Sequence, residues 1–508
     1  MSRILIYLFL VGFFPHSLSA EQNFRLSSLF GDHMVLQRNQ EVPVWGVAGS
    51  GDEITVTFAG QKKSVVCDAD GRWMVKLAPL VASHEGREFS VHSKMEDRIL
   101  SATDVVVGDV WLCSGQSNMH FRMMSVENAT EEMAKVAQPL LRFFTVGEQL
   151  ARTSAQDVKG EWRCASEQTI SNCSAVAYYF GAALHTTIKV PVGLLVSSVG
   201  GTRIETWMRP ETLAATGESL SLVERWKQVT DEDFDKIATH YRAYQHARDH
   251  GHPAAVAAAK AKGETPPVAP TQPRQRCHDC PSALHHGMIA PLQPFALRGA
   301  IWYQGESNSS QPKSYEIMLP AMISDWRSVW GSEMPFLMVQ LASYRNTHPA
   351  FRLAQQRIWH KTLHTALVVT TDAGDAGNIH PTRKRPVGER LALAARAISY
   401  GEAVEYRGPL WQGMQVQNER ALLSFSHTAG GLVAQGGALR GFTIAGADGV
   451  FVPAQAVIEG DQVAVTSAKV KSPVAVRYNW AQMAEGNLYN RAGLPAFTLM
   501  TDAIKSQP

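Results

Sequence analysis

The chain carries almost no net charge, which excludes several classes of partner. Its 508 residues include 48 lysines and arginines against 46 aspartates and glutamates, a formal net charge of +2. Proteins that bind nucleic acid or anionic membranes through their electrostatic field carry a larger excess or a dense run of basic residues. We therefore expect neither nucleic acid nor a charged membrane surface as a partner.

Long apolar runs are missing beyond the N-terminus. Residues 1–20 contain one arginine, then an apolar run over residues 4–14, then the small residues Ser17, Ser19 and Ala20. This order is typical of a signal peptide cleaved near Ala20, with an uncleaved anchor as the alternative, because the run is short for a bilayer. The sequence predicts an exported protein, periplasmic or extracellular, whose mature chain has no membrane span.

Cysteine is scarce, with six in the whole chain. Cys277 and Cys280 form a C-x-x-C motif, but no second ligand pair follows at the spacing of a zinc site. In an oxidising compartment this motif indicates a local disulfide or a pair of thiols in a loop. The sequence also lacks an internal repeat and a glycine-rich loop of the kind that cradles phosphates.

The hydrophobic pattern of the remaining chain predicts three regions. Residues 21–104 alternate short β-rich runs with Gly, Asp and Ser turns, as in a small antiparallel β-sandwich. Residues 105–400 alternate strands and helices, which predicts an α/β domain with a mainly parallel sheet. Within it, residues 213–281 or so are charged, Ala-rich and Pro-rich, and we interpret them as a surface insertion. Residues 401–508 return to short strands and predict a β-rich C-terminal domain.

The α/β region has five predicted strands and five predicted helices. The strands are expected over residues 105–113, 190–198, 296–303, 336–342 and 366–372. The helices are expected over residues 119–136, 175–188, 315–330, 351–363 and 387–398.

The stretch GDVWLCSGQSNM, residues 108–119, places a serine where the first of these strands ends. A strand, a sharp turn and a helix start would put Ser117 where backbone N–H groups point at it. That position suits a nucleophile whose reaction generates an oxyanion, and it equally suits an ordinary helix N-cap. The segment alone leaves both interpretations open.

The other strand ends carry complementary groups. The carboxyl ends of parallel strands meet at one edge of a sheet, where open α/β folds place their sites. Gly200 and Gly201 follow the second strand, Gln304 and Glu306 follow the third, and His380 follows the fifth. Serine needs a base, and the base needs a group that fixes its tautomer, so this combination predicts a serine hydrolase. The missing G-x-S-x-G motif argues against the usual α/β-hydrolase arrangement.

Four blocks of the chain together resemble one family. They are GDVWLCSGQSNM, SSVGGTRIETWM, RGAIWYQGESN and NIHPTRKRPVGERLA. In this order they resemble the sialate O-acetylesterase family, carbohydrate esterases related to the SGNH hydrolases, and they cover the region from about residue 108 to residue 395. The resemblance implies an SGNH-hydrolase-like, three-layer α/β domain with a mainly parallel sheet, flanked by N-terminal and C-terminal β-rich domains.

The resemblance also implies roles for individual residues. Ser117 would be the nucleophile, and its own backbone N–H would be one oxyanion donor. Gly201 would give a second donor, and Gln304 would correspond to a side-chain donor. His380 would be the general base and later the acid. Because these groups account for the charge and proton transfers, neither a metal nor a cofactor is expected.

The acid that orients the histidine stays open. SGNH enzymes usually carry an aspartate three residues before the histidine, and Gly377 occupies that position here. The resemblance makes Glu306 the first choice, because related acetylesterases with a Q-G-E block use that glutamate as the orienting acid. Asp375 and Asp372 are the alternatives, and so is a Ser–His dyad held by a backbone carbonyl.

The resemblance implies that the substrate is an O-acetylated sialic acid, deacetylated through an acetyl-enzyme. Its carboxylate would suit an arginine, either Arg203 or Arg122, and Gln116 is the other candidate substrate contact. The alternatives are an acetylxylan or other carbohydrate acetylesterase and, from another class, a non-catalytic carbohydrate-binding protein. The sequence does not predict an oligomeric state.

Overall fold

The computed structural model describes residues 24–273 and 275–502. The predicted signal peptide therefore lies outside the described residues. Within them, no helix combines the length and the apolar character that crossing a membrane requires.

The N-terminal region is built mainly from antiparallel strand pairs, with β2 parallel to β8 as the exception. β6 shows the alternation of a half-buried strand, with Trp73, Val75 and Leu77 inside and the residues between them outside. β3 pairs with β1 and β6, and β4 pairs with β5 and β7. The strands are β1 (Arg25–Leu26), β2 (Val35–Gln37), β3 (Val42–Val47), β4 (Glu53–Phe58), β5 (Gln61–Val66), β6 (Arg72–Leu77), β7 (Ser83–Ser93) and β8 (Arg98–Gly115).

The α/β region is organised around a mainly parallel run of strands in the order β10, β9, β11, β8, β12, β13, β14. All neighbours in this run are parallel except β10 and β9. β11 is buried along its whole length, and so is β12. The new strands are β9 (Ala137–Thr145), β10 (Trp162–Ser166), β11 (Val192–Ser198), β12 (Gly299–Tyr303), β13 (Phe336–Val339) and β14 (Thr365–Val368).

β8 belongs to both regions. Its first half pairs antiparallel with β7, residues 109–115 pair parallel with β11, and residues 111–115 also pair parallel with β12. The predicted domain boundary at residue 104 therefore falls inside one continuous strand. The buried side chains of both regions form one hydrophobic cluster, which includes Val56, Val105 and Leu195.

Ten α-helices accompany the strands within the described residues. α3 coincides with its predicted range, and α3 and α10 pack against each other. The single helix predicted over residues 119–136 is wrong: the chain turns extended at Phe121 and left-handed at Asn128, which leaves two short helices. The helices are α1 (Ser117–His120), α2 (Ala129–Ala134), α3 (Ala175–Ile188), α4 (Pro210–Thr216), α5 (Leu220–Lys227), α6 (Asp231–His246), α7 (His252–Lys262), α8 (Pro312–Trp330), α9 (Pro349–Lys361) and α10 (Arg385–Tyr400).

The predicted insertion contains α5, α6, α7 and most of α4, followed by an extended run that returns to the sheet. It has its own hydrophobic cluster, in which Trp226, Phe234 and Tyr241 pack against Cys277 and Cys280. Both cysteines are free thiols in the structure, so the C-x-x-C motif forms the thiol pair rather than a disulfide.

The C-terminal region is all β and has a hydrophobic cluster of its own. It contacts the α/β region through Arg352 of α9, which donates hydrogen bonds to the carbonyls of Asn479, Ala481 and Gln482. Its strands are β15 (Leu410–Gln417), β16 (Arg420–Ser426), β17 (Leu432–Ala434), β18 (Phe442–Ala445), β19 (Val452–Pro453), β20 (Gln455–Glu459), β21 (Gln462–Thr466), β22 (Ala475–Tyr478), β23 (Leu488–Asn490) and β24 (Leu499–Met500).

Candidate active site

A cavity of about 840 Å³ lies at the carboxyl ends of the central parallel strands. One side, here named the strand-end wall, consists of Ser117, Gly201, Glu306 and His380 with their neighbours. The opposite side, the insertion wall, consists of Tyr241, Gln245, Arg248, Gln272 and Arg276. The volume is in the range of small-molecule sites. The position is the switch point of the sheet, where the chain leaves the β9–β11 side and crosses to β12.

The turn after β8 positions Ser117 at the centre of this cavity. A Cβ added at Gly115 would come within 2.2 Å of the carbonyl oxygen of Tyr303, so the turn requires a residue without a side chain. Gly115 also adopts a φ of 141°, in the region that favours glycine. α1 then begins at Ser117, which therefore sits in the first turn of a short helix, as the sequence predicts.

His380 lies beside Ser117. Its Nε2 is 2.8 Å from Ser117 Oγ, a hydrogen-bond distance across 263 residues of sequence. The backbone N–H of His380 donates to Asn378 Oδ1, which fixes the loop between β14 and α10. Burial, reinforced by the charges of Lys384 and Arg248, lowers the pKa of His380. A neutral imidazole, which can accept the serine proton, is therefore favoured near neutral pH.

The two glycines after β11 stand against the serine. A Cβ on Gly200 would contact Ser117 Cβ at 3.4 Å, and Gly201 adopts a φ of 73°. Both line the cavity beside Ser117, and the role of this turn as an oxyanion donor stays a prediction.

Gln304 is placed differently from its predicted role. Its Nε2 donates to the Thr202 carbonyl at 3.1 Å and to Asn308 Oδ1 at 2.9 Å, and its Oε1 accepts from the Tyr315 hydroxyl. The side chain is fully buried. Both amide hydrogens are thus engaged inside the protein, and the structure does not support Gln304 as an oxyanion donor.

The predicted acids are also engaged away from the histidine. Glu306 Oε1 accepts from Asn118 Nδ2 at 2.5 Å. Asp372 forms a double hydrogen bond with Arg390, and the exposed Asp375 accepts from the backbone of its own loop. Among the described residues, none of the three makes a hydrogen bond to His380. The geometry therefore presents a serine–histidine pair. Glu306 does not contact this pair directly but bonds Asn118, the residue after Ser117.

Of the two candidate substrate contacts, Gln116 and Arg203, only Gln116 lines the cavity. Gln116 lines the cavity, and its Oε1 accepts from the backbone of Gly305 and Ser307 at 3.3 Å. Arg203 faces Glu205 and Gln311 instead and lies outside the cavity lining. Arg122, the other arginine suggested by the sequence, does line it.

Sequence reasoning missed several residues that the fold brings to the site. Asn118 and Lys384 lie behind the serine and the histidine, bonded to each other at 2.5 Å. Arg276 is held by Asp279 in a double hydrogen bond and lines the insertion wall. Lys384 sits in a charged run and Arg276 in a Pro-rich insertion, and both contexts suggest solvated surface. The signals that could have marked them are the NIHPTRKRPVGERLA block, which contains Lys384, and the C-x-x-C motif, which directly follows Arg276.

Glu148 adds a carboxylate to the cavity. Burial acts to raise its pKa, but the hydrogen bond from His278, at 2.8 Å, and the nearby charges outweigh burial and lower it. Glu148 therefore stays ionised and offers an acceptor for hydroxyl groups. The cavity combines this acceptor with the guanidinium groups of Arg122, Arg248 and Arg276.

A group of described side chains with metal-ligand spacing exists elsewhere, at His33, Asp104 and Cys164. Arg142 already bonds the Asp104 carboxylate there. This group lies away from the cavity lining, so it bears on neither Ser117 nor His380.

Comparison with known proteins agrees with this geometry. The family model described as carbohydrate esterase, sialic acid-specific acetylesterase, matches residues 107–240 and 282–397. Sialate O-acetylesterase from Mus musculus is 31% identical over 456 residues, covering 81% of this chain and 80% of the relative. The Homo sapiens protein of the same name is 30% identical over 455 residues, covering 80% and 77%.

A solved structure extends the likeness to the fold. A carbohydrate acetylesterase from Xanthomonas citri superposes with a TM-score of 0.78 at 33% identity, covering 94% of this chain and 99% of that one. The family resemblance noted from the four sequence blocks is thereby confirmed. The chain belongs to the sialic acid-specific acetylesterase family of carbohydrate esterases and is a carboxylic ester hydrolase.

Proposed function

We propose that the protein removes O-acetyl groups from sialic acids through an acetyl-enzyme formed on Ser117. The observation that carries this proposal is the 2.8 Å contact between Ser117 Oγ and His380 Nε2 at the base of a polar cavity. The arrangement of helices around the parallel strands is, on this view, the SGNH-like layered domain. Export to the periplasm or the extracellular medium belongs to the same proposal.

The reaction proceeds in two halves. Ser117 Oγ bonds to the acetyl carbonyl carbon while its proton passes to His380 Nε2, and the carbonyl oxygen becomes an oxyanion. The backbone N–H groups of Ser117 and Gly201 stabilise this charge. The bond to the sugar oxygen then breaks, and that oxygen takes the proton from His380.

Water completes the cycle. His380 removes a proton from a water molecule, whose oxygen bonds to the acetyl carbon of the acetyl-enzyme. The ester bond to Ser117 breaks, Ser117 Oγ regains the proton from His380, and acetate leaves. The lowered pKa of His380 keeps it available as a base in both halves.

The charge of the cavity supports an anionic sugar. Three guanidinium groups, from Arg122, Arg248 and Arg276, line it together with the acceptor Glu148. A guanidinium binds a carboxylate through paired, charge-assisted hydrogen bonds. A neutral acetylated sugar, such as an acetylated xylooligosaccharide, would use the same serine and histidine but has no carboxylate to bind a guanidinium, and it is the second candidate substrate.

Acetate release tests the proposal. We would compare 9-O-acetylated sialic acid with acetylated xylooligosaccharides, using the wild type, Ser117→Ala and the control Ser125→Ala. Ser125 is exposed, close in sequence and outside the cavity lining. Release from sialic acid that disappears only in Ser117→Ala supports both chemistry and substrate, and release only from xylooligosaccharides replaces the substrate. Activity unchanged in Ser117→Ala contradicts the mechanism.

A further inference from the structure

Lys384 is an unexpected cation for its position. It is the N-cap residue of α10 and is 1% exposed. A cation at a helix N-terminus opposes the helix dipole, and burial of an ammonium group is costly. Lys384 Nζ donates to Asn118 Oδ1 at 2.5 Å and lies 4.7 Å from the ring centroid of Phe121 and 5.6 Å from that of Tyr303. An apolar side chain would fit this pocket at lower cost, so the charge itself calls for an explanation.

Asn118 links this ammonium to a carboxylate. Its Nδ2 donates to Glu306 Oε1 at 2.5 Å and to the Ile379 carbonyl at 3.0 Å. The cation on the amide oxygen and the anion on the amide nitrogen polarise the group in the same direction, which strengthens both hydrogen bonds. The other carboxylate oxygen, Glu306 Oε2, is buried and has no hydrogen-bond partner among the described residues.

The same amide joins the two halves of the reacting pair. Asn118 directly follows Ser117, and Ile379 directly precedes His380. The bond from Asn118 Nδ2 to the Ile379 carbonyl therefore ties the backbone of the serine turn to the backbone of the histidine loop. A displacement of either segment by about 1 Å is enough to cost roughly a hundredfold in rate.

We propose that Lys384 and Glu306 form a buried charge couple that positions Ser117 and His380 by acting through Asn118. Both are positioning residues, because in the structure each bonds Asn118 and neither bonds the serine or the histidine. The proposal rests on the proposed function in one respect: it takes Ser117 and His380 as the reacting pair.

Lys384 also acts on the electrostatic surroundings of the histidine. After burial, the charges of Lys384 and Arg248 lower the pKa of His380, while Glu148 and Arg276 face the same cavity from the other side. Burial lowers the pKa of Lys384 to about 7, although Glu306 opposes this shift. Lys384 is thus charged at the acidic pH values where His380 titrates, and removal of its charge raises the pKa of His380.

The first test is Lys384→Met, which keeps the length and removes the charge. With p-nitrophenyl acetate, we expect kcat to fall about 10- to 100-fold with KM within about twofold, because positioning is lost and binding is not. We also expect the acidic limb of the pH profile to move up by roughly half a unit. A merely structural lysine would not move this limb.

Arg352 supplies the matched control. It is another fully buried cation, it donates to backbone carbonyls at the contact with the C-terminal region, and it is absent from the cavity lining. Arg352→Met should lower the melting temperature and leave kcat and the pH profile of the folded protein unchanged. If it moves the pH limb as Lys384→Met does, the effect belongs to any buried cation and the proposal is overturned.

Glu306→Gln tests the other end of the couple. Glutamine keeps an acceptor for Asn118 and removes the charge, so we expect kcat to fall by about tenfold, as for a modest positional loss. A loss of about 10,000-fold, the size found when the acid of a serine triad is removed, would show direct action on His380 and overturn the proposal.

Asn118→Asp decides the question if Lys384→Met does not fold. Aspartate pairs with Lys384 but cannot donate to the Ile379 carbonyl, so kcat should fall at least tenfold while the protein still melts cooperatively. A folded Asn118→Asp or Lys384→Met with wild-type kcat and an unmoved pH limb overturns the proposal. Ser117→Ala, assayed in parallel, reports separately on the proposed function, because its full activity would remove the reacting pair itself.

Discussion

The two walls of the cavity are built by different means. The strand-end wall lies at the ends of buried strands, and the large hydrophobic cluster of the sheet supports it. The insertion wall is carried by α6 and the returning loop, which rest on a small cluster of their own. The family model matches both sides of residues 241–281 and leaves that segment unmatched. The sheet thus places Ser117 and His380, whereas most of the insertion wall lies in a segment that the family model does not match.

The largest expected effect is a difference in kcat between variants of the two walls. His380→Asn, in the strand-end wall, should lower kcat by about 10,000-fold, because the serine loses its base. His246→Asn, in the insertion, provides the comparison and should cost far less. Steady-state hydrolysis of p-nitrophenyl acetate measures both. Equal losses in the two variants would erase the distinction between the walls.

A second prediction concerns the backbone of the strand-end wall. Gly201→Val introduces a β-branched residue at a φ of 73° and should displace the oxyanion donor, with a loss in kcat of about a hundredfold. Gly217→Val is the control, since Gly217 has a φ of 68° at the end of α4 and open space around it. It should lower thermal stability with little change in kcat. Comparable kcat values for the two variants would contradict the role of Gly201.

The third prediction addresses the insertion wall. Arg276→Gln should raise KM about tenfold for an acetylated sugar that carries a carboxylate, because one charge-assisted hydrogen bond is lost. The kcat of this variant, and its rate with p-nitrophenyl acetate, should stay near wild type. Arg225→Gln, an exposed arginine of α5 outside the cavity lining, should change neither constant. An equal loss on charged and neutral substrates would show that Arg276 supports the wall rather than recognition.

The smallest effect is a shift in pH. Burial and the charges of Lys384 and Arg248 lower the pKa of His380, and the base must be neutral to work. We therefore expect kcat/KM to rise with pH through a limb below about 6.5, the ordinary value for histidine. A profile of kcat/KM from pH 4 to pH 8 locates the limb. A limb above 6.5 would contradict the direction of the shift.

Much of the fold was accessible from the sequence because local patterns decided it. α3 was predicted at its observed bounds, because a long apolar run follows Ser174, whose side chain caps the helix by accepting from the Ala177 N–H. The helix expected over residues 119–136 failed because Asn128 adopts a left-handed conformation that no periodicity reveals. β9 and β10 were missed because neither shows a clean alternation of apolar and polar residues.

The site was predictable where a residue follows the end of one parallel strand. Ser117, Gly201 and His380 met in the structure as expected. Gln304 did not, because its partners Thr202, Asn308 and Tyr315 come from three other segments and their convergence depends on tertiary packing.

The continuity of β8 has a mechanical consequence. The strand that leads to the serine turn begins in the N-terminal region, where it pairs antiparallel with β7. It ends between β11 and β12. Unfolding of the N-terminal strands therefore disrupts β8, the strand that leads to Ser117. The N-terminal region therefore supports the strand that leads to Ser117, and we expect its unfolding and the loss of esterase activity to occur together.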